Sequence, residues 1–132
     1  MHQALLPEGW KRPKGYANGV LSARGRQVHV AGMVGWDADE RFASDDFAEQ
    51  ARQTLRNVAD VLAAGGARPE HIVRMTWYVT DKHEYLRALP EVGRAFREII
   101  GNYNIAMAAV QVAALMEDRA KIEIETTAVI PD

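Results

Sequence analysis

The sequence predicts an α+β domain in the order ββαβαββ, one sheet with two helices on one of its faces. Three observations carry that reading. Apolar residues recur at helical spacing over residues 45–64 and again over 82–100. Apolar-rich or alternating runs occupy 16–31, 72–79, 105–115 and 121–129. Glycine or proline marks most of the junctions between them.

Residues 1–14 read as an N-terminal arm, with the short basic cluster Lys11-Arg12-Pro13-Lys14 solvated. Residues 16–31 read as a β-hairpin. Val20, Val28 and Val30 supply β-branched positions, and Ser22-Ala23-Arg24-Gly25 supplies the turn. Gly32 and Gly35 lie close together as the chain leaves the strand, which predicts a bulge or a tight backbone approach. The first helix spans about 45–64, with Phe47, Ala51, Leu55, Val58 and Leu62 on its buried face. Ser44 or Asp45 caps its start and Gly65-Gly66 ends it. No Lys-Ser/Thr pair follows that double glycine, so it is not a phosphate loop.

After Pro69 a strand over 72–79 is expected, then a helix over 82–100 lined by Tyr85, Leu89, Val92, Phe96 and Ile99. Pro90 removes a helical hydrogen bond, so it marks a kink or the true start of that helix. Two closing strands, 105–115 and 121–129, flank a charged turn at 116–120. Helices on one face leave the other sheet face to be polar or covered, and a symmetric oligomer answers that need.

Composition excludes several classes of function. The 132 residues suit one domain of 1–132 with a real core. Without cysteine there is no disulfide, thiol nucleophile or thiolate metal site. His2, His29, His71 and His83 lack ligand spacing, so no metal is expected. His29 is expected on the outer face of its strand. A net charge of −2 gives no basic footprint for nucleic acid. No leader and no bilayer-length apolar run is present, which makes a cytoplasmic protein with no membrane partner the expectation.

Several segments resemble the Rid superfamily, also called RidA/YjgF/YER057c/UK114. They are Tyr16-Ala17-Asn18-Gly19, Ala31-Gly32, residues 50–58, residues 75–81, and the pair of C-terminal strands with Ile122-Glu123-Ile124-Glu125. The resemblance runs from Tyr16 to Val129. It implies a chorismate-mutase-like fold assembled as a homotrimer, three sheets forming a central barrel, with small-molecule clefts between subunits and no cofactor. It also implies hydrolysis of enamines or imines.

Position by position, Tyr16 matches the family's aromatic pocket residue, Gly32 a glycine whose backbone faces the ligand, and Glu123 the glutamate linked to water activation. Met107 stands where the deaminases carry the arginine of Pro-Ala-Arg that holds the substrate carboxylate. Ala31 stands where they often carry serine, and Leu89 or Pro90 falls near a position where some members use asparagine.

Losing a charge-assisted bond to carboxylate costs about 1.5–3 kcal/mol. A small 2-imino acid is therefore disfavoured, and a bulkier, apolar or aromatic ligand suits a Met- and Ala-lined cleft better. Trp36 is a candidate wall of that cleft, and Ala109 a candidate backbone contact beside it. Arg74 or Arg119 of a neighbouring subunit could swing in to replace the missing guanidinium. Two functional readings follow: an enamine or imine hydrolase with Glu123 as general base or acid, and a non-catalytic trimeric binder of a metabolite or protein. Two plainer readings stand beside them. Lys121, Glu123, Glu125 and Thr127 share one strand face and could form a paired surface, and Met107 could be core filling.

Overall fold

The computed structural model describes residues 1–132. Its strands are β1 (Gln3–Leu5), β2 (Gly19–Leu21), β3 (Gly25–Val34), β4 (Ile72–Val79), β5 (Ala106–Gln111) and β6 (Ile122–Pro131). Its helices are α1 (Phe47–Ala64), α2 (Lys82–Arg87) and α3 (Leu89–Ile99), with a 3-10 turn at Pro69–His71. The main sheet has the order β3-β6-β4-β5, parallel only between β4 and β5. α1 lies across β3 and β6 with α3 beside it, giving the expected two-layer α+β architecture.

Period two divides the sheet cleanly. Ile122, Ile124, Thr126 and Ala128 of β6, with Met75, Trp77 and Val79 of β4, are buried beneath the helices. They meet the face of α1 formed by Phe47, Ala51, Leu55, Val58 and Leu62, all fully or nearly buried as the helical spacing predicts. The opposite face carries His29, Arg74, Thr76, Tyr78, Glu123, Glu125 and Thr127, in register across β3, β6 and β4. His29 is thus on the outer face, exposed, with Nε2 3.0 Å from Gln27 Oε1. The apolar part of that face is Ala106, Ala108 and Val110 on the edge strand β5.

Four local expectations change. The hairpin over 16–31 does not form, because β2 pairs with β1 and β3 pairs with β6. Gly25 is not a turn residue; it opens β3 so close to β6 that a side chain there would run into the Ile130 carbonyl. The arm is also pinned. His2 Nδ1 accepts from Ala23 N–H (3.0 Å), which leaves Nε2–H to donate to the His71 and Val129 carbonyls (3.2 and 3.1 Å). Lys11, Arg12 and Lys14 of the basic cluster remain exposed. Finally, the N-cap of α1 is Asp46, whose carboxylate accepts from Glu49 N–H at 3.1 Å.

Other expectations hold with shifted bounds. The second helix splits at Ala88 into α2 and α3, and Pro90 sits in the first turn of α3. β3 runs on to Val34, with a register shift between Val30 and Met33 that contains Gly32.

Candidate functional site

The structure separates the sequence-derived candidates into two groups on opposite faces of the sheet. Tyr16, Met107 and Ala109 belong to the first. Ala17 N–H bonds the Ile105 carbonyl at 2.8 Å, and a bridge from Ala17 to Ala106 lays residues 16–17 along the outer edge of β5. Parallel pairing puts Met107 level with Met75 and Ala109 level with Trp77, so both face the helical layer.

A cavity of about 560 Å³ opens between this edge and α3. Trp77 and Met107 line the sheet side, Val92 and Phe96 the helix side, and Tyr16 and Tyr103 the rim. Gly101, at φ +104°, turns the chain out of α3, and its bare Cα leaves room for the Tyr103 ring. Met107 packs against the core, as the core-filling reading expects, and it also lines the cavity.

An aromatic cluster builds the inner wall. Trp77 packs on Tyr85 (ring centroids 6.3 Å) and on Phe96 (6.2 Å), and Tyr85 packs edge-on against Phe47 (5.9 Å). Burial pushes the Tyr85 hydroxyl pKa above its ordinary value. The sequence pattern did not single out Trp77 or Tyr85 as cavity residues. Alternation of Met75, Trp77 and Val79 marked Trp77 as inward-facing, but showed no void beside it.

Glu123 and Gly32 form the second group, on the face away from the helices. The two are in direct contact: a Cβ on Gly32 would run into the Glu123 carboxylate. Glu123 is half-buried and pairs across the sheet with Val34 on one side and Tyr78 on the other. Next to it, Tyr78 donates its hydroxyl to Glu125 Oε1 at 2.5 Å, and this bond holds the Tyr78 pKa above the ordinary phenol value. Glu123, Glu125 and Thr127 thus do make a cross-strand polar surface, with Glu123 its one member beside an open glycine, whereas Lys121, the fourth residue of that spacing, bonds Glu84 of α2 at 3.0 Å.

Trp36 does not line the cavity within the chain. It rests on Phe42 (5.8 Å), and its carbonyl accepts from Asn57 Nδ2 at 2.7 Å. Within its own chain, neither Arg119 nor Arg74 lines the cavity. Arg119 is held by Asp45 (2.9 and 3.1 Å) and the Phe42 carbonyl (3.1 Å), with its guanidinium 5.6 Å from the Phe42 ring centre. Arg74 lies on the open sheet face beside Glu125. No group of three or more His, Cys, Asp or Glu side chains is placed to hold a metal ion. No helix is long and apolar enough to cross a membrane.

Comparison with known proteins agrees with this architecture. The family model described as Endoribonuclease L-PSP matches residues 11–130. Protein DfrA of Myxococcus xanthus is 32% identical over 115 residues, 86% of this chain and 84% of that protein. The human 2-iminobutanoate/2-iminopropanoate deaminase is 30% identical over 115 residues, 86% of this chain and 79% of its own length. The crystal structure of YyfB from Yersinia pestis, a protein of unknown function of the conserved Rid family, superposes with a TM-score of 0.85 at 30% identity, covering 98% of each chain. The chain belongs to the Rid superfamily, RidA/YjgF/YER057c/UK114.

Proposed function

We propose that this Rid protein binds a small metabolite in clefts between subunits of a homotrimer. There it hydrolyses an enamine or imine on a substrate bulkier than a small 2-imino acid, one of aromatic origin. The observation that carries this reading is the cavity: Tyr16, Met107 and Ala109 converge on it, and its walls are aromatic and aliphatic. Its volume of about 560 Å³ falls within the usual range for small-molecule sites. The human relative acts, by its name, on 2-iminobutanoate and 2-iminopropanoate. With Met107 in this cavity, a small imino acid would leave its carboxylate unpaired against a thioether.

Glu123 lies on the other face of its own sheet, so a second subunit must bring its Glu123 and Gly32 to the cavity mouth. In the reaction water adds across C=N, with Glu123 taking a proton from the water and returning one to nitrogen. Collapse of the adduct then releases ammonia and leaves C=O. The polar face around Glu123 and Tyr78, flanked by Ala106, Ala108 and Val110, supplies the surface for the barrel between subunits.

The test is ammonia release from freshly generated imines, comparing wild type with Glu123→Gln. Loss of turnover with the trimer intact supports a catalytic glutamate; dissociation of the trimer makes Glu123 structural. Met107 also favours a second reading, a trimeric binder without catalysis, because it explains the replaced arginine without new chemistry. That reading predicts no turnover on any imine, together with ligand-induced stabilisation that Met107→Arg alters.

A further inference from the structure

One residue of α3 has an identity that neither the backbone nor the packing of the chain requires. Gly93 is the only glycine inside a helix. Its φ is not positive, so any residue could adopt its conformation. A glycine in a helix interior lowers the folding constant about two- to fivefold relative to alanine. Close packing does not demand it either. Outside its own helix backbone, a Cβ on Gly93 would meet one atom within 4 Å, Arg97 Nη1 at 3.3 Å, the far end of a flexible side chain. At Gly25, Gly32 and Gly35 a Cβ would instead collide with the Ile130 carbonyl, the Glu123 carboxylate and the Gln50 backbone.

Gly93 faces the cavity. Leu89, Val92, Gly93, Phe96 and Arg97 all line it, and their helical spacing puts Gly93 in the middle of the face that α3 turns toward it. Every other member of that face carries a large side chain. The missing one at position 93 leaves half-buried helix backbone open to whatever the cavity holds. Glycine is the residue that lets a ligand approach the backbone closely.

We infer that Gly93 is a specificity-determining residue, whose bare backbone seats the ring of a broad, flat ligand. A side chain at this position narrows the cavity from the helix side, excluding a two-ring ligand while still admitting a one-ring one. The stability given up in α3 is thereby exchanged for breadth of substrate. This deepens the proposed function and rests on its reading of the cavity as the ligand cleft.

The experiment is a calorimetric titration of the full chain, wild type and Gly93→Ala, with 3-(2-naphthyl)propanoate and 3-phenylpropanoate. Wild type is expected to bind the naphthyl acid about tenfold more tightly, because the second ring adds buried apolar area. Gly93→Ala should weaken the naphthyl acid about tenfold, as overpacking does, and change the phenyl acid by less than about twofold. Its urea midpoint should rise, since alanine is the better helix former. In 15N-labelled wild type, the Gly93 amide resonance should shift on saturation with the naphthyl acid, through the ring current of an aromatic ligand seated on it.

An unchanged ratio of the two affinities in Gly93→Ala would overturn the inference, as would an unmoved Gly93 resonance in saturated wild type. A lower urea midpoint, or a changed oligomeric mass by light scattering, would assign the glycine to folding or subunit contact and overturn it as well. The wild-type resonance decides the matter even if Gly93→Ala does not fold. No imine is involved, so the proposals fail separately. If wild type binds neither acid, the cavity is not the ligand cleft and both readings fall; if it binds both and Gly93→Ala keeps their ratio, only the role of Gly93 falls. Absent ammonia release with the size selection intact removes hydrolysis alone.

Discussion

Replacing Gln50 by leucine tests how the strand bearing Glu123 is held. Gln50 is 1% exposed on the inner face of α1, and its side chain makes three hydrogen bonds. Nε2 donates to the Ser44 and Arg119 carbonyls, both at 3.0 Å, and Oε1 accepts from Lys121 N–H at 2.9 Å. The amide therefore clamps both the entry to α1 and the last residues before β6.

Leucine has nearly the same volume, so little is lost in packing and the cost comes from three deserted backbone groups. The Lys121 N–H, facing α1, loses about 1–3 kcal/mol. The carbonyls of half-buried Ser44 and exposed Arg119 can be rehydrated, at about 0.5 kcal/mol each. The sum is about 3 kcal/mol. Urea unfolding at fixed chain concentration should show it as a lower midpoint with an unchanged slope. A loss under about 0.5 kcal/mol, typical of an unconstrained surface site, would refute the clamp.

Three further outcomes are expected. Gly32→Ala should displace the Glu123 side chain, lowering ammonia release about tenfold or more, while the urea midpoint moves by less than about 1 kcal/mol because a flexible side chain yields; unchanged turnover would separate Glu123 from the chemistry. Met107→Arg should raise affinity for propanoate about ten- to a hundredfold by calorimetry, since the new guanidinium enters the cavity; no gain would mean that small carboxylates do not use it. Arg52 Nη1 lies 2.7 Å from Glu98 Oε2, linking α1 to α3, and holds the Glu98 carboxyl below its ordinary pKa. A lowered folded pKa stabilises above the ordinary carboxylate value and is lost as pH falls through the lowered one. The midpoint difference between wild type and Glu98→Gln should thus be present near neutrality and close below about pH 4; a pH-independent difference would contradict the linkage.

Some of this architecture was legible in the residues. The spacing of Phe47, Ala51, Leu55, Val58 and Leu62 predicted the buried face of α1, and Pro90 marked the break that became α2 and α3. Local signals failed where partners lie far apart in sequence. Val20, Val28 and the turn-like residues 22–25 look like a hairpin, yet β3 finds its partner about a hundred residues later in β6. Nothing local distinguishes the two pairings. Gln50 and Thr54 interrupt the apolar pattern as surface residues would, but hydrogen bonds satisfy both inside the core. The division of the site was hidden for a related reason. Period two says that Met107 and Ala109 share a face and that Glu123 and Glu125 share a face. Only the register of β5 on β4 and of β4 on β6 reveals that the two faces are opposite.

That opposition makes subunit complementation the most direct measurement. Glu123→Gln removes the acid on one face, and Ala109→Trp fills the cavity on the other, so each protein alone should be inactive in ammonia release. Co-expressed as mixed trimers, they should regain activity at about a quarter of sites, where an intact Glu123 of one subunit meets an intact cavity of its neighbour. Recovery at that level would show that the site is shared between chains. Mixed trimers without recovery, beside an active wild type, would contradict a site assembled from opposite faces of neighbouring sheets.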